Sequence, residues 1–448
     1  MPVEVWYIVA LLVVICVSFL AIKRPIYECM FFGYVAMILL TGEWSSFFTH
    51  IEKTSTDTLF YSIIGFLVLA KVLEATKAVD TVVAVIVAVL GRFRGGAGYA
   101  ALVASTFMGA LSGSGAGNVA TTGTFTIPTM IKSGFPRHLA ANVESSASTM
   151  GNMIPPAGVI LAALACYNEF SGQEMSQSTF WIVMWGISLW FVLQRLVTLF
   201  VFCRVYKVQP MAKEDIPSVR KTLKEGWPNL LLPVIILAPF VLDYFFKTTF
   251  FAERLGAGAS NLSSCLLLFT PGVAAAYALL VNKNKMKPKE LVGVVGNSVA
   301  GIAPVGVTIF FAYCISNLFS ATNVGANIGI FIQGWNLPMW ALALLIPLLT
   351  AILGMVLPGT AQTKIFGGTI ISVFAAAGGN PLLVAAMLPV ITGAMEGMTP
   401  PLALCMYTAM GIADAPLKPT IKNCMVWVGL HYLLSVLCLL GLLPILGL

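Results

Sequence analysis

Apolar runs close to the ~20 residues needed to cross a hydrocarbon core recur from one end of this chain to the other. Examples are Val3 to Ile22, Leu59 to Leu73, Phe180 to Phe202 and Leu230 to Phe246. Such runs leave a chain few choices, because in lipid every backbone donor and acceptor must be satisfied within the protein. With 58% hydrophobic and 10% charged residues among 448, the solvent of this protein is the bilayer. The reading is an all-α polytopic membrane protein. The first run has no basic segment before it and no small-residue cleavage site after it, so it is expected to stay as the first helix.

Charge supplies the topology. Lys and Arg concentrate in Arg204 to Lys224 and in Lys283, Lys285, Lys287 and Lys289, with two spans between these clusters that turn at Lys247, Glu253 and Arg254. The basic clusters belong on the cytoplasmic side, and working back through Lys23-Arg24 puts the N-terminus outside. The net charge of +7 therefore reads as a set of topology signals, and no nucleic-acid partner is implied. The nine cysteines show no paired spacing and are expected to be free core or lipid-facing thiols. The histidines 50, 138 and 431 stand isolated, and no lone arginine marks a carboxylate clamp.

An internal repeat organises the rest. Gly109 to Asn118 carries Ser112-Gly-Ser-Gly115 and is followed by Met153-Ile-Pro-Pro156; Gly354 to Thr363 carries Pro358-Gly-Thr360 and is followed by Met398-Thr-Pro-Pro401. The offset is constant at 245 residues, from 109 to 354 and from 155 to 400, and it also pairs Gly123 with Gly368, Gly134 with Gly379, Pro136 with Pro381 and Met150 with Met395. Chance does not align so many Gly and Pro markers. Upstream, Glu74-Ala-Thr-Lys77 resembles Ser320-Ala-Thr-Asn323 with one residue of slippage. Arg92, Arg94, Lys132 and Arg137 mark the turns of the first copy, whereas the turns near 337 and 377 to 381 carry no basic residue, so the copies are inverted across the membrane.

The segmentation that follows is 1–44, N-terminal scaffold helices; 45–170, repeat one, with a re-entrant hairpin at 97–132 and a broken helix at 137–168; 178–282, linking scaffold helices with a cytoplasmic loop at 204–224; 288–415, repeat two, with a hairpin at 341–376 and a broken helix at 381–413; and 420–448, a C-terminal helix. Hairpin arms of about 15 residues are too short to span, and their tips leave backbone groups that only protein, water or an ion can satisfy. Breaks at Gly151-Asn152, Pro155-Pro156 and Glu396-Gly397 free carbonyls, and these with Ser, Thr and Asn oxygens make a hard-cation cage suited to sodium. Glu396 is the one acidic group within a break, and its repeat partner is Gly151. Glu144 sits mid-segment, where a contact within the protein accounts for it equally well.

At Ser112-Gly-Ser-Gly115, Thr121-Thr-Gly-Thr-Phe-Thr-Ile-Pro128, Pro155-Pro156 and Thr399-Pro-Pro-Leu-Ala-Leu404 the chain resembles the large membrane subunit of the tripartite ATP-independent periplasmic (TRAP) family, within the ion-transporter superfamily. The resemblance spans roughly 45 to 170 and 290 to 425. It implies a scaffold domain and a transport domain that work as an elevator, sodium coupling, a small four-helix membrane subunit, a periplasmic substrate-binding protein, a small organic anion as substrate, and a bacterial inner-membrane location. It places the sodium and substrate sites at Ser112, Ser114, Asn118, Gly151, Asn152, Thr360, Thr363, Glu396 and Thr399. One departure is Ala157-Gly158, where many members carry Ser after the first Pro-Pro; the Asn118 to Gly123 stretch looks closer to the branch with TAXI-type binding proteins.

An enzyme is disfavoured, since no His-Glu-x-x-His, phosphate-binding Gly-Lys loop or Gly-x-Ser-Gly is present. A channel fits paired hairpins less well than a gated midplane site. A stand-alone sodium/anion symporter of the same superfamily, needing no binding protein, remains the alternative. Cysteine labelling should find Arg92 to Gly95 and Arg204 to Lys224 on one side, and Lys247 to Arg254 and Gly378 to Pro381 on the other. Labelling of the 92 and 378 loops from one side refutes the inversion.

Overall fold

The computed structural model describes residues 2–112, 115–211, 214, 216–256, 258–283, 288–335, 337–354, 357–399 and 403–448. Ser114, Lys213, Lys285, Lys287, Pro400 and Pro401 lie outside the described residues, as does the side chain of Ser112. The secondary structure found among the described residues is helical, and seven helical segments are long and apolar enough to cross a bilayer. The chain is a multi-pass membrane protein.

The N-terminal part comprises α1 (Val3–Cys16), α2 (Ile26–Thr41) and α3 (Phe47–Ser55). Repeat one runs through α4 (Thr58–Ala75), α5 (Ala78–Leu90), the hairpin arms α6 (Gly96–Ser112) and α7 (Gly115–Lys132), then α8 (Arg137–Met150) and α9 (Gly158–Ser171). The linking part holds α10 (Gln177–Val205), α11 (Val219–Leu230), α12 (Leu232–Phe246), α13 (Ala252–Leu255) and α14 (Gly258–Asn282). Repeat two runs through α15 (Pro288–Ala321), α16 (Val324–Gln333), the arms α17 (Met339–Leu353) and α18 (Gly359–Ala376), then α19 (Pro381–Ile391), α20 (Gly393–Glu396) and α21 (Leu404–Ala413). The last helix is α22 (Leu417–Leu439).

The repeat extends to the backbone. Lys77 and Asn323, the pair that the slipped motif aligns, both sit in the left-handed region with φ of 52° and 54°, and each ends a long helix and starts a short one. The packing between copies is reciprocal: α7 lies on α21 as α18 lies on α9, and α8 lies on α21 as α19 lies on α9. The two breaks touch at the centre, where the turn Gly151–Met153 meets α20.

Composition sorts the layers. The best-spanning window of the α8–α9 segment is 100% buried, against 17% for α1 and 17% for the α12–α13 segment. Small side chains allow that enclosure, since Gly, Ala and Ser let backbones approach. A Cβ on Gly151 would lie 2.0 Å from the carbonyl carbon of Gly109, so the hairpin arm and the break are in backbone contact there. The peripheral helices instead turn Val234, Val241, Leu242 and Phe245 outward, as a lipid-facing surface requires.

Three details differ from the sequence reading. Residues 47–55 form a short helix, α3, whose His50 and Thr54 are buried against α15. Part of the 204–224 loop is helical, because α11 starts at Val219 and packs on α5. The C-terminal helix ends at Leu439: Gly441 takes φ of 68°, and the tail folds back so that Trp190 Nε1 donates to the Pro444 carbonyl at 2.9 Å.

Gly151→Ala should destabilise the purified protein by at least about 2 kcal/mol, the cost of overpacking against backbone. Gly378→Ala, at φ of 85° with open space around it, should cost about 1 kcal/mol through backbone strain alone. Thermal unfolding in detergent ranks the two, and equal loss would contradict the close contact.

Candidate functional site

The first break is a single 3₁₀ turn, Gly151–Met153, followed by a second turn through Pro155-Pro156, which the Ala157 amide closes on the Ile154 carbonyl at 3.2 Å. Proline supplies no donor, so carbonyls here need partners from elsewhere. Ser188 of α10 donates to the Met153 carbonyl at 2.6 Å. Asn152 Nδ2 donates to the Gly393 carbonyl at 2.6 Å, which ties the break of repeat one to the break of repeat two. In the second copy Thr350 donates to the Ile391 carbonyl at 2.9 Å, and the amides of Cys405 and Met406 both reach the Gly397 carbonyl.

The residues named from the sequence fall into two groups and an outlier. Asn152 meets Gly393, and Glu396 closes the same short helix α20, with its carboxylate against Gly359 at the start of α18. Thr360 is buried in the first turn of α18, and Thr363 shares a 2.6 Å hydrogen bond with Thr392, next to Gly393. Gly151 fills the contact with Gly109. These five therefore cluster where the breaks meet. Asn118 belongs to a second group, donating to the Ser105 carbonyl at 2.7 Å and to Ser148 Oγ at 2.9 Å. Thr399 stands apart, its hydroxyl turned back to the Met395 carbonyl at 2.7 Å. Ser112 ends α6 at the first hairpin tip.

Two buried oxygens at this centre, Asn152 Oδ1 and Glu396 Oε2, have no hydrogen-bond partner among the described residues, and Ser146 Oγ on α8 and both amide atoms of Gln362 on α18 are likewise unpartnered. Unpartnered buried oxygens are costly and mark places where an ion or water completes the set. The donor chemistry is hydroxyl, amide and carbonyl oxygen with one carboxylate, which suits a hard monovalent cation.

Of three buried polar clusters, the first is the contact within the protein that the sequence reading allowed for Glu144, and the other two escape that reading. Glu144, fully buried on α8, accepts from Ser105 (2.8 Å), Thr122 (2.7 Å), Thr126 (2.5 Å) and Ser148 (3.2 Å). The run Asn142 to Thr149, polar in an otherwise apolar chain, was its signal. Lys364, fully buried on α18, pairs with Glu169 of α9 at 2.5 Å, and its Nζ lies 4.5 Å from the Tyr313 ring of α15. Arg195 qualifies the absence of an arginine clamp: it is fully buried on α10, bonded to Gln194 and to His431 Nδ1, with no carboxylate beside it among the described residues. His431 is not isolated either, since its Nε2 reaches the Val390 carbonyl at 3.1 Å. As the carbonyl can only accept, Nε2 carries the proton and Nδ1 accepts from Arg195.

Residues 12–446 match the family described as the tripartite ATP-independent periplasmic transporter, DctM component. The chain belongs to that family. DctM relatives include the C4-dicarboxylate TRAP transporter large permease protein of Pseudomonas aeruginosa, 25% identical over 344 residues that cover 76% of this chain and 74% of that protein. The protein of the same description from Vibrio cholerae is 23% identical across 96% of this chain and 94% of its own length. These relatives are transporter permeases, not enzymes, and this DctM chain is a TRAP large permease subunit. The solved structure of Neisseria gonorrhoeae MtrF, described among a class of antimetabolite efflux pumps, shares the fold, with a TM-score of 0.64 at 13% identity over 90% of this chain and 85% of MtrF.

Removing one partner of a buried ion pair costs about 3 kcal/mol or more, while removing both costs less than the sum. Lys364→Met and Glu169→Gln should each lower thermal stability, and the double variant should recover part of the loss. Strict additivity would show that the pair contributes nothing as a pair.

Proposed function

We propose that this DctM chain is the permease subunit of a sodium-coupled secondary carrier in the bacterial inner membrane. It imports a small organic anion that a periplasmic binding protein delivers, and it works beside a small four-helix membrane subunit. The observation that carries the reading is the Asn152–Gly393 contact, which brings two broken helices together and leaves buried oxygens without partners around it. The relatives described as C4-dicarboxylate permeases support an anionic substrate.

The residues that would hold sodium are Ser112, Ser114, Asn118, Asn152, Thr360, Thr363, Glu396 and Thr399, with the carbonyl of Gly151. A bound cation supplies positive charge that makes an anion's passage through the low-dielectric interior less costly. The chain contributes orientation. Helices α7 and α18 both start at hairpin tips, and their N-terminal amides favour a negative group. Asn152 fixes the two breaks against each other and the Thr363–Thr392 pair fixes the second break to the hairpin arm α18, so the site travels as one piece. In this reading α6–α9 and α17–α21 form the transport domain and the peripheral helices form the scaffold, an elevator arrangement.

Reconstitution in liposomes with the small subunit tests the proposal. Uptake should require inward sodium and an added binding protein, and Asn152→Leu or Thr399→Leu should abolish it while the protein remains monodisperse. Uptake without a binding protein would favour a stand-alone symporter, and unchanged sodium dependence in both variants would overturn the cation site.

A further inference from the structure

Glu144 has no exposure, and no basic side chain pairs with it among the described residues. A buried carboxylate of this kind survives only if hydrogen-bond donors surround it. Four hydroxyls do so, from three different segments: Ser105 on α6, Thr122 and Thr126 on α7, and Ser148 on α8. Thr122 and Thr126 also lie within reach of the carbonyls of Asn118 (2.9 Å) and Thr122 (3.0 Å), so each has a second acceptor. Ser148 differs. Its oxygen accepts from Asn118 Nδ2, and its proton goes to Glu144 Oε1.

The orientation of Asn118 follows from this chain. The Ser105 carbonyl can only accept, so the atom facing it at 2.7 Å is the amide nitrogen. The second N–H is spent on Ser148, and a planar amide with both donors engaged must turn Oδ1 away from the two serines. A carboxylate behind Ser148 polarises the hydroxyl and strengthens its hold on Asn118. If Ser148 had no acceptor behind it, its hydroxyl could rotate and give up the second Asn118 N–H, leaving the Ser105 carbonyl alone to hold the amide.

We propose that Glu144 is a positioning residue that holds, through Ser148, the orientation in which Asn118 turns its Oδ1 to the coupling ion. The proposal rests on the reading of Asn118 as part of the sodium site. It also gives the hydroxyl-rich faces of α6, α7 and α8 a function beyond packing, since they hold a charge in place without touching the ion.

The test is the sodium dependence of uptake in proteoliposomes containing the chain, its small subunit and the binding protein. Glu144→Gln and Ser148→Ala should raise the half-saturating sodium concentration at least fivefold while the rate at saturating sodium stays within twofold. Asn142→Ala, which cuts a bond from the same helix to the Thr420 carbonyl, should lower thermal stability without moving that concentration. If Glu144→Gln does not fold, Ser148→Ala carries the test alone. A shift with Asn118→Ala but none with Ser148→Ala overturns the positioning role and leaves the ion site standing. An unchanged sodium dependence in Asn118→Ala removes Asn118 from the ion site, and the proposal falls with it. An equal shift in Asn142→Ala would mean that general loosening of α8 is being read, and that also overturns it.

Discussion

Every backbone carbonyl that a broken helix releases inside a membrane must find a donor, and the rest of this fold follows from that requirement. The donors come from side chains and amides on other segments: Ser188 for Met153, Asn152 for Gly393, Thr350 for Ile391. Because each break satisfies only some of its carbonyls from within, both have to sit where other helices surround them. That forces the broken segments to the centre and the unbroken ones to the rim. It also forces small residues inward, since donors on neighbouring helices reach a carbonyl only when the backbones are close.

Much of this was legible in the sequence because Gly and Pro act locally. A proline frees a carbonyl whatever surrounds it, so the repeat spacing of 245 residues, the hairpins and the breaks could be read from residue identity alone. The tail shows where local reading runs out. Residues 440–448 are nearly all apolar and look like a continued span, yet Gly441 and Pro444 end the helix and the stretch packs on α10. Helix α11 was hidden for the opposite reason: its Arg220, Lys221 and Lys224 read as loop charges, while its seat on α5, with Gly226 against Thr81 and Val85, depends on a partner far away in sequence.

The polar pairings were not legible. Lys364 and Glu169 are 195 positions apart, and Arg195 and His431 are 236 apart, so nothing in either neighbourhood announces the other. Glu144 could be seen as an intramembrane acid, but its four hydroxyl partners lie on three segments that only the folded hairpin brings together. Composition can flag a charge in an apolar chain. It takes the packing to say what balances it.

The contact between hairpin and break occurs twice, once as Gly109 against Gly151 and once as Gly354 against Glu396. Duplication would have given both copies the same residue at the second position, and the two breaks meet at the point where the copies are related. A side chain at 151 would run into the Gly109 backbone, whereas the side chain of Glu396 passes Gly354 and brings its carboxylate beside Gly359. The first hairpin thus closes on its break backbone to backbone, and the second closes around an acid, so two copies of one architecture present different chemistry at the same joint.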